Sequence, residues 1–204
     1  FRSVSGDSYT FGEVNGISFM AISDGMGIGK KANEESEIAI ELLERLMETN
    51  MDKSTLIKTI NSILRGKSND EIFTTLDLSF IDLYTRKLQV LKNGSPATFI
   101  KREDRVDIIN SQSLPLGILE NVDFNIYEEK LEDGDIIIMM SDGVLESNRK
   151  VKDLETWMKD VIMSINTQNP QTMVDEIMKI ADFVSGSNPR DDMTVIATKV
   201  WRNL

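Results

Sequence analysis

The sequence predicts an α+β fold, with a central run of short antiparallel strands, a pair of amphipathic helices on either side of it in the chain, and a closing strand. Three observations predict this. Apolar residues recur at helical spacing across 31–64 and again across 153–184. Between them, from Ile72 to Asp142, the pattern changes to short strand-like runs separated by turn residues. Two apolar runs, Phe19 to Ile22 and Ile136 to Met140, end in the same tripeptide, Ser-Asp-Gly. At 204 residues the chain suits one domain with a sizeable core.

Taken in order, Ser8 to Val14 and Ile17 to Ser23 read as strands joined by Asn15-Gly16, a strong two-residue hairpin signal. That hairpin brings Asp7 and Asp24 to one sheet end. A glycine directly after a strand lets the backbone turn and approach whatever the preceding carboxylate holds. Asp-Gly alone is also a common turn dipeptide, so it is the repetition at Ser141-Asp142-Gly143 that sets Ser23-Asp24-Gly25 apart.

Lys31 to Met47 carries a stripe of Ile38, Leu42, Leu43, Leu46 and Met47. Asp52 to Leu64 repeats it with Leu56, Ile57, Ile60, Ile63 and Leu64, with Asp52 or Ser54 as the cap. In the strand region, turns fall at Thr85-Arg86-Lys87, Asn93-Gly94-Ser95-Pro96, Glu103-Asp104-Arg105 and Glu132-Asp133-Gly134-Asp135, which reads as an antiparallel meander. Leu76, Leu78 and Phe80 alternate with Asp77 and Ser79, a pattern that offers Asp77 as a functional carboxylate but favours solvent or a sheet edge for it. The apolar loop Ser113 to Gly117 turns at its glycine.

Asp153 to Ile165 and Pro170 to Val184 are the second helix pair, with their methionines read as core filling. A polar loop, 185–190, leads to Asp191-Asp192 and a strand from Met193 to Val200. Here the carboxylates precede the strand. Antiparallel pairing sets one strand's start beside its neighbour's end, so Asp191 is expected to meet Asp24 and Asp142.

Composition narrows the chemistry. Thirty-four acidic against 23 basic residues give a net charge of −11, which disfavours nucleic acid. There is no cysteine and no histidine, which removes disulfides, thiolate nucleophiles, imidazole bases and the usual zinc ligands, and suits a reducing cytoplasm. No run reaches the ~18 apolar residues of a membrane span. The chain starts without Met and runs at once into motif residues, so it is expected to be a C-terminal fragment of a longer protein.

Four strand-end carboxylate positions remain: Asp7, Asp24, Asp142, and Asp191 or Asp192. Like charges cannot share a pocket unless their pKa values rise, basic groups neutralise them, or cations bind. Oxygen-only ligands select hard cations, namely magnesium, manganese or calcium. Two such ions, roughly 3.5–4 Å apart, can activate water and clamp a phosphoryl oxygen, which is phosphoester hydrolysis without a protein nucleophile.

Ser5-Gly6-Asp7, Ser23-Asp24-Gly25-Met26-Gly27, Ser141-Asp142-Gly143 and Asp191-Asp192-Met193-Thr194, in that order and spacing, resemble the metal-dependent protein phosphatases of type 2C. The resemblance runs from about Val4 to Val200. Thr74-Thr75-Leu76-Asp77-Leu78-Ser79 and Leu114-Pro115-Leu116-Gly117-Ile118 resemble the stage II sporulation protein E branch. It implies a four-layer αββα sandwich of two antiparallel sheets flanked by helix pairs. It also implies two divalent cations, Mn2+ or Mg2+. Asp24 matches the bridging ligand, the Gly25 carbonyl a ligand to one ion, Asp7 an acid reaching that ion through water, and Asp142 and Asp191 ligands of the other. Asp192 stands where many relatives carry Asn, which leaves the choice within the pair open. Met26 stands where some relatives carry a histidine acid, and Asn93-Gly94-Ser95 has no carboxylate for a third ion.

From the same resemblance come the expected partners. They are a phosphorylated anti-anti-sigma factor as substrate, a homodimer through the 31–65 helix pair, and a division-septum protein reached through upstream regions of a membrane protein. The helix pair is further expected to act as a switch, because it follows directly on Asp24 and its glycine loop. A haloacid-dehalogenase-type phosphatase is the rival enzyme, but Asp24-Gly25-Met26 lacks its second aspartate. A regulatory module that kept the fold and lost activity is the rival outside enzymes.

Overall fold

The computed structural model describes residues 4–27, 29–49, 51–66, 73–122, 124–186 and 191–201. Ile72 and the loop positions 187–190, both named above, lie outside the described residues. The chain forms two compact units: Phe1–Ser95 with Ser111–Glu129, and Pro96–Asn110 with Lys130–Leu204. Because they interleave along the sequence, no single cut of the chain separates them.

The first unit holds a five-stranded sheet in the order β1-β2-β3-β4-β7, from β1 (Asp7–Val14), β2 (Ile17–Asp24), β3 (Leu76–Asp82), β4 (Lys87–Asn93) and β7 (Ile126–Lys130). Its two helices are α1 (Lys30–Met47) and α2 (Lys53–Gly66). The β1–β2 turn is the expected one: Val14 pairs with Ile17, and Asn15 and Gly16 take φ 51° and 75°, which matches the right-handed twist of the strands. β2 pairs antiparallel with both β1 and β3, so Asp24 ends a strand unlike the parallel ones of the haloacid-dehalogenase fold.

Phe19, Ala21, Leu76, Leu78, Phe80 and Leu91 from the sheet close a core with Ala39, Ile40 and Leu43 of α1 and Leu56, Ile57, Ile60 and Leu64 of α2. The α1 stripe is therefore centred one step away from the expected one, since Ile38, Leu42, Leu46 and Met47 are only partly buried at its flank. The small Ala32 and Ala39 are buried, Ala39 in the core shared with the sheet and Ala32 against Gly25. Asp52, not Ser54, caps α2, accepting from Thr55 N at 3.0 Å. Asn61 of α2, missed by an apolar reading, accepts from Gly117 N at 2.8 Å and donates to Leu119 O at 2.9 Å, which pins the loop that turns at Gly117.

The second unit holds a four-stranded sheet, β6-β5-β8-β9, from β5 (Thr98–Lys101), β6 (Val106–Ile109), β8 (Ile136–Met140) and β9 (Val195–Lys199). It carries the short α3 (Asp142–Leu145), α4 (Leu154–Ser164) and α5 (Pro170–Ser185). Phe99, Ile136, Ile138 and Met140 pack with Met158, Ile162, Met173, Ile177 and Ala181, so these methionines do fill core. Asp153 and Asn169 cap α4 and α5 through their side chains. The strand region is thus not one meander: β5, β6 and β8 leave the sheet of β3, β4 and β7 and pair with β9. Among the described residues no helix is long and apolar enough to cross a membrane.

One assignment is overturned. Asp77 is neither solvent-facing nor at an edge: it is 1% exposed in the middle of the sheet and bonded at 2.7 Å to Lys92, itself 2% exposed. The two are cross-strand partners in β3 and β4. The alternation was real but both faces of β3 are buried, and the opposite charge one strand over is what lets a carboxylate lie there. Removing one charge of a buried pair leaves the other desolvated. Lys92→Met should therefore lower stability by about 3–5 kcal/mol in denaturant titration, and the double change Asp77→Leu with Lys92→Met should recover most of it.

Candidate functional site

In the first unit, Asp7 and Asp24 are direct cross-strand partners at the open end of β1 and β2. Strand alternation puts both on the sheet face away from α1 and α2, because Ala21 of β2 faces the helices and Ser8 of β1 bonds Ser36 of α1. Cross-strand partners have β-carbons about 4.5–5.5 Å apart, and like charges so placed are destabilising. That is a place where a cation helps.

Asp24 is held by its backbone from both sides. Its N–H donates to Thr75 Oγ1 at 3.0 Å, and its carbonyl accepts from Thr75 N at 2.9 Å and from Thr74 Oγ1 at 2.8 Å. Ser23 Oγ lies 2.8 Å from both Thr74 Oγ1 and the Thr75 carbonyl. Thr74 gives its hydrogen to Asp24, so Ser23 supplies the one between the hydroxyls or bonds the carbonyl. Ser23 and Thr74 are fully buried. The sequence reading missed this hydroxyl clamp, although Ser23 and Thr74-Thr75 stand in the quoted motifs.

The expected turn is not what calls for glycine at position 25. Its φ is not in the left-handed region, so no turn demands glycine. A β-carbon there would fall 1.8 Å from the Ala32 carbonyl oxygen, so glycine is what lets the first turns of α1 press on the residue after Asp24.

The second unit repeats the device. Ser141 closes β8: its N–H donates to the Thr194 carbonyl at 2.9 Å, while its Oγ accepts from Thr194 N at 3.0 Å and donates to the Asp192 carbonyl at 3.3 Å. Met140 pairs with Val195, so the start of β9 lies beside the end of β8 as expected. A β-carbon on Gly143 would fall 2.1 Å from the Asp192 carbonyl oxygen and 3.2 Å from Asp191 Cβ. Asp142, at the first position of α3, and the Asp191-Asp192 pair are thereby brought together. Asp192 N donates to Asp191 Oδ1 at 3.0 Å.

Each unit thus contributes one set of the expected carboxylates. Among the described residues no group of three or more Asp or Glu gathers into a metal-holding cluster. The donor set, all carboxylate and carbonyl oxygen in a chain without His or Cys, fits a hard cation. On α1, whose Ala32 packs on Gly25, sits a carboxylate that sequence reasoning did not single out. Glu35 of α1 is buried and lies 4.0 Å from Lys31, while Met26 N donates to the Phe73 carbonyl at 3.2 Å. Burial raises its pKa, with Lys31 and the Met26 N–H pulling the other way.

With this geometry in place, comparison with known proteins is direct. The family model for Stage II sporulation protein E (SpoIIE) matches residues 15–201. The chain belongs to the SpoIIE family. It is 43% identical over 201 residues to stage II sporulation protein E of Priestia megaterium, covering 98% of this chain and 34% of that protein. It therefore spans about a third of the length of that relative. A solved structure of the PP2C phosphatase domain and a fragment of the regulatory domain of SpoIIE from Bacillus subtilis matches 98% of this chain and 60% of that one. The match has 42% identity and a TM-score of 0.92. Phosphoserine phosphatase RsbU of Bacillus subtilis (strain 168) is 23% identical over 205 residues, covering 97% of this chain and 60% of RsbU. The α+β class with two antiparallel sheets and helix pairs is thus the PP2C class of the SpoIIE family.

Two outcomes test this reading of the SpoIIE-family domain. Gly25→Ala must push Ala32 and α1 aside, and should cost about 1–3 kcal/mol of stability in denaturant titration. Glu35→Gln keeps the shape of the side chain but removes the charge. A pKa raised on folding means that the glutamate favours the fold fully below its unfolded pKa and loses that contribution as pH rises through the folded value. Thermal melts should show Glu35→Gln more stable than the parent at pH 7 and no more stable at pH 4.

Proposed function

We propose that this chain is the catalytic domain of a divalent-metal-dependent protein phosphatase that hydrolyses phosphoserine. The observation that carries the reading is Asp7 set directly opposite Asp24, in a chain 42% identical to a PP2C phosphatase domain. Phosphoserine as the substrate rests on the likeness to RsbU. Two cations, Mn2+ or Mg2+, would be held by Asp7, Asp24, the Gly25 carbonyl, Asp142 and Asp191, with Asp192 as the alternative to Asp191. Bound there, they supply an activated water and neutralise the phosphoryl oxygens. The chain's own part is to hold the carboxylates. Ser23, Thr74 and Thr75 fix Asp24 by its backbone, and Ser141 ties Asp142 to the strand that Asp191 and Asp192 precede. With Met26 in place of a histidine acid, protonation of the leaving serine comes from water or is weak.

The finer reading follows the family. The substrate is a phosphorylated anti-anti-sigma factor, and the domain is the cytoplasmic, C-terminal part of a membrane protein at the division septum, where upstream regions meet a septum partner. The 31–65 helix pair carries both dimerisation and control. The seat of Ala32 on Gly25 supports control, since α1 cannot shift without disturbing the residue after Asp24. Buried substitutions in α1 and α2 that change manganese affinity along with stability support that switch, and substitutions that change stability alone leave cladding.

A manganese titration with a phosphoserine protein tests the main reading. Metal-dependent turnover without a trapped aspartyl-phosphate is expected. Asp24→Asn should abolish turnover at millimolar manganese while changing stability little, because it relieves the Asp7–Asp24 repulsion as it removes a ligand. Asp142→Asn and Asp191→Asn should behave alike and Asp192→Asn more mildly. An inactive Asp192→Asn beside an active Asp191→Asn reverses the assignment within the pair.

A further inference from the structure

A cavity of about 250 Å³ opens in the second unit against two residues of the carboxylate end, Gly143 and Asp191. Arg149 and Lys150, from the loop after α3, line it together with Glu146 and Ser147. Its volume is below the ~300–1,000 Å³ of pockets that take whole small-molecule ligands, and suits a side chain or two of a peptide.

Its charge is unlike that of the chain, which carries −11 overall. The chain's well-buried guanidinium and its buried Lys92 are committed inside the fold, Lys92 to Asp77, and Arg102 to Asp107 and Asp135 at 2.7 and 2.9 Å. Arg149 and Lys150 are exposed, and among the described residues neither side chain forms an ion pair. Of the two lining carboxylates, Asp191 is the one assigned above to a cation, which leaves two positive groups against Glu146. The wall also buries the Ser147 hydroxyl, which has no hydrogen-bond partner among the described residues. A buried hydroxyl left so is costly unless something bonds it.

We propose that this pocket is a substrate-recognition subsite that takes an acidic side chain flanking the phosphoserine, with Arg149 and Lys150 as its counter-charges. The inference rests on the phosphatase reading of the neighbouring carboxylates and deepens it. A phosphoserine held by the carboxylates proposed above would lie next to Gly143 and Asp191, which also line the pocket, so a side chain flanking it would be within reach of that pocket. The occupant is then set by charge, since a lysine-flanked phosphoserine meets two like charges and an acidic one meets two opposite charges.

The test uses two fluorescein-labelled phosphoserine peptides, identical but for glutamates or alanines beside the phosphoserine. Both are measured with the parent domain and with the double variant Arg149→Ala, Lys150→Ala. The parent should show kcat/KM about ten-fold higher for the glutamate peptide, carried in KM, and the double variant should lose that preference. Binding read by fluorescence anisotropy without added metal should show the same preference and the same loss, and should weaken with salt. Equal affinity of the parent for both peptides, or an undiminished preference in the variant, overturns the subsite. Absence of turnover on either peptide sinks the phosphatase reading instead, and the anisotropy then decides the subsite by itself. Circular dichroism of the variant, altered only at exposed positions, should match the parent.

Discussion

A strand-end aspartate is useful only if its backbone cannot move, and in both units that constraint is met by the residue before it and the residue after it. The serine is a buried clamp. Ser23 joins Thr74 and Thr75 around the Asp24 backbone, and Ser141 bonds Thr194 and Asp192 across the gap to β9. The glycine is the absence of a side chain, filled in one copy by the Ala32 carbonyl and in the other by the Asp192 carbonyl. Ser-Asp-Gly is therefore a single device of hold, present and admit. Buried, hydrogen-bonded hydroxyls rigidify more strongly than exposed ones, since water offers them no alternative.

The same economy of polar burial runs through the sheets. An acidic chain has few cations to give, yet Lys92 lies buried against Asp77, and Arg102 divides its guanidinium between Asp107 and Asp135. Lys101 places its ammonium on the carbonyls of Ile162 and Ile165, at the open end of α4, where a helix dipole favours positive charge. Each takes a sheet-borne charge out of water only where a fixed partner waits, which specifies strand register in a way that interchangeable aliphatic residues cannot.

Much of this was legible in the sequence because it rests on local rules. The Asn15-Gly16 hairpin, the helix pairs, the Asp153 cap and the meeting of Asp142 with Asp191-Asp192 follow from periodicity, turn chemistry and antiparallel geometry. What was not legible depended on the far side of a strand. Asp77 reads as solvent-facing as long as alternation is taken to mean one wet face, and only the cross-strand register reveals Lys92 opposite it. Gly25 reads as a turn for the same reason: the atom it makes room for, the Ala32 carbonyl, belongs to the helix that follows and leaves no mark in composition. Glu35 was hidden by residue type, since a glutamate on an amphipathic helix is normally on the wet side, and this one is buried.

The pairing of Asp7 with Asp24 sets two like-charged residue types directly opposite each other at the end of the hairpin. A hairpin chosen for stability alone would not put like charges at a directly opposed position, because that pair costs what an opposite-charge pair would give. The chain bears the cost at the last rung, after a hairpin turn of the favoured type and seven further rungs from Ser8–Ser23 to Val14–Ile17 have fixed the register. A one-residue slip would turn Phe19 and Ala21 out of the core, so the repulsion cannot be relieved by sliding and stays at the strand end. Placed there, the like-charged pair is held in position by a register that the hydrophobic core enforces.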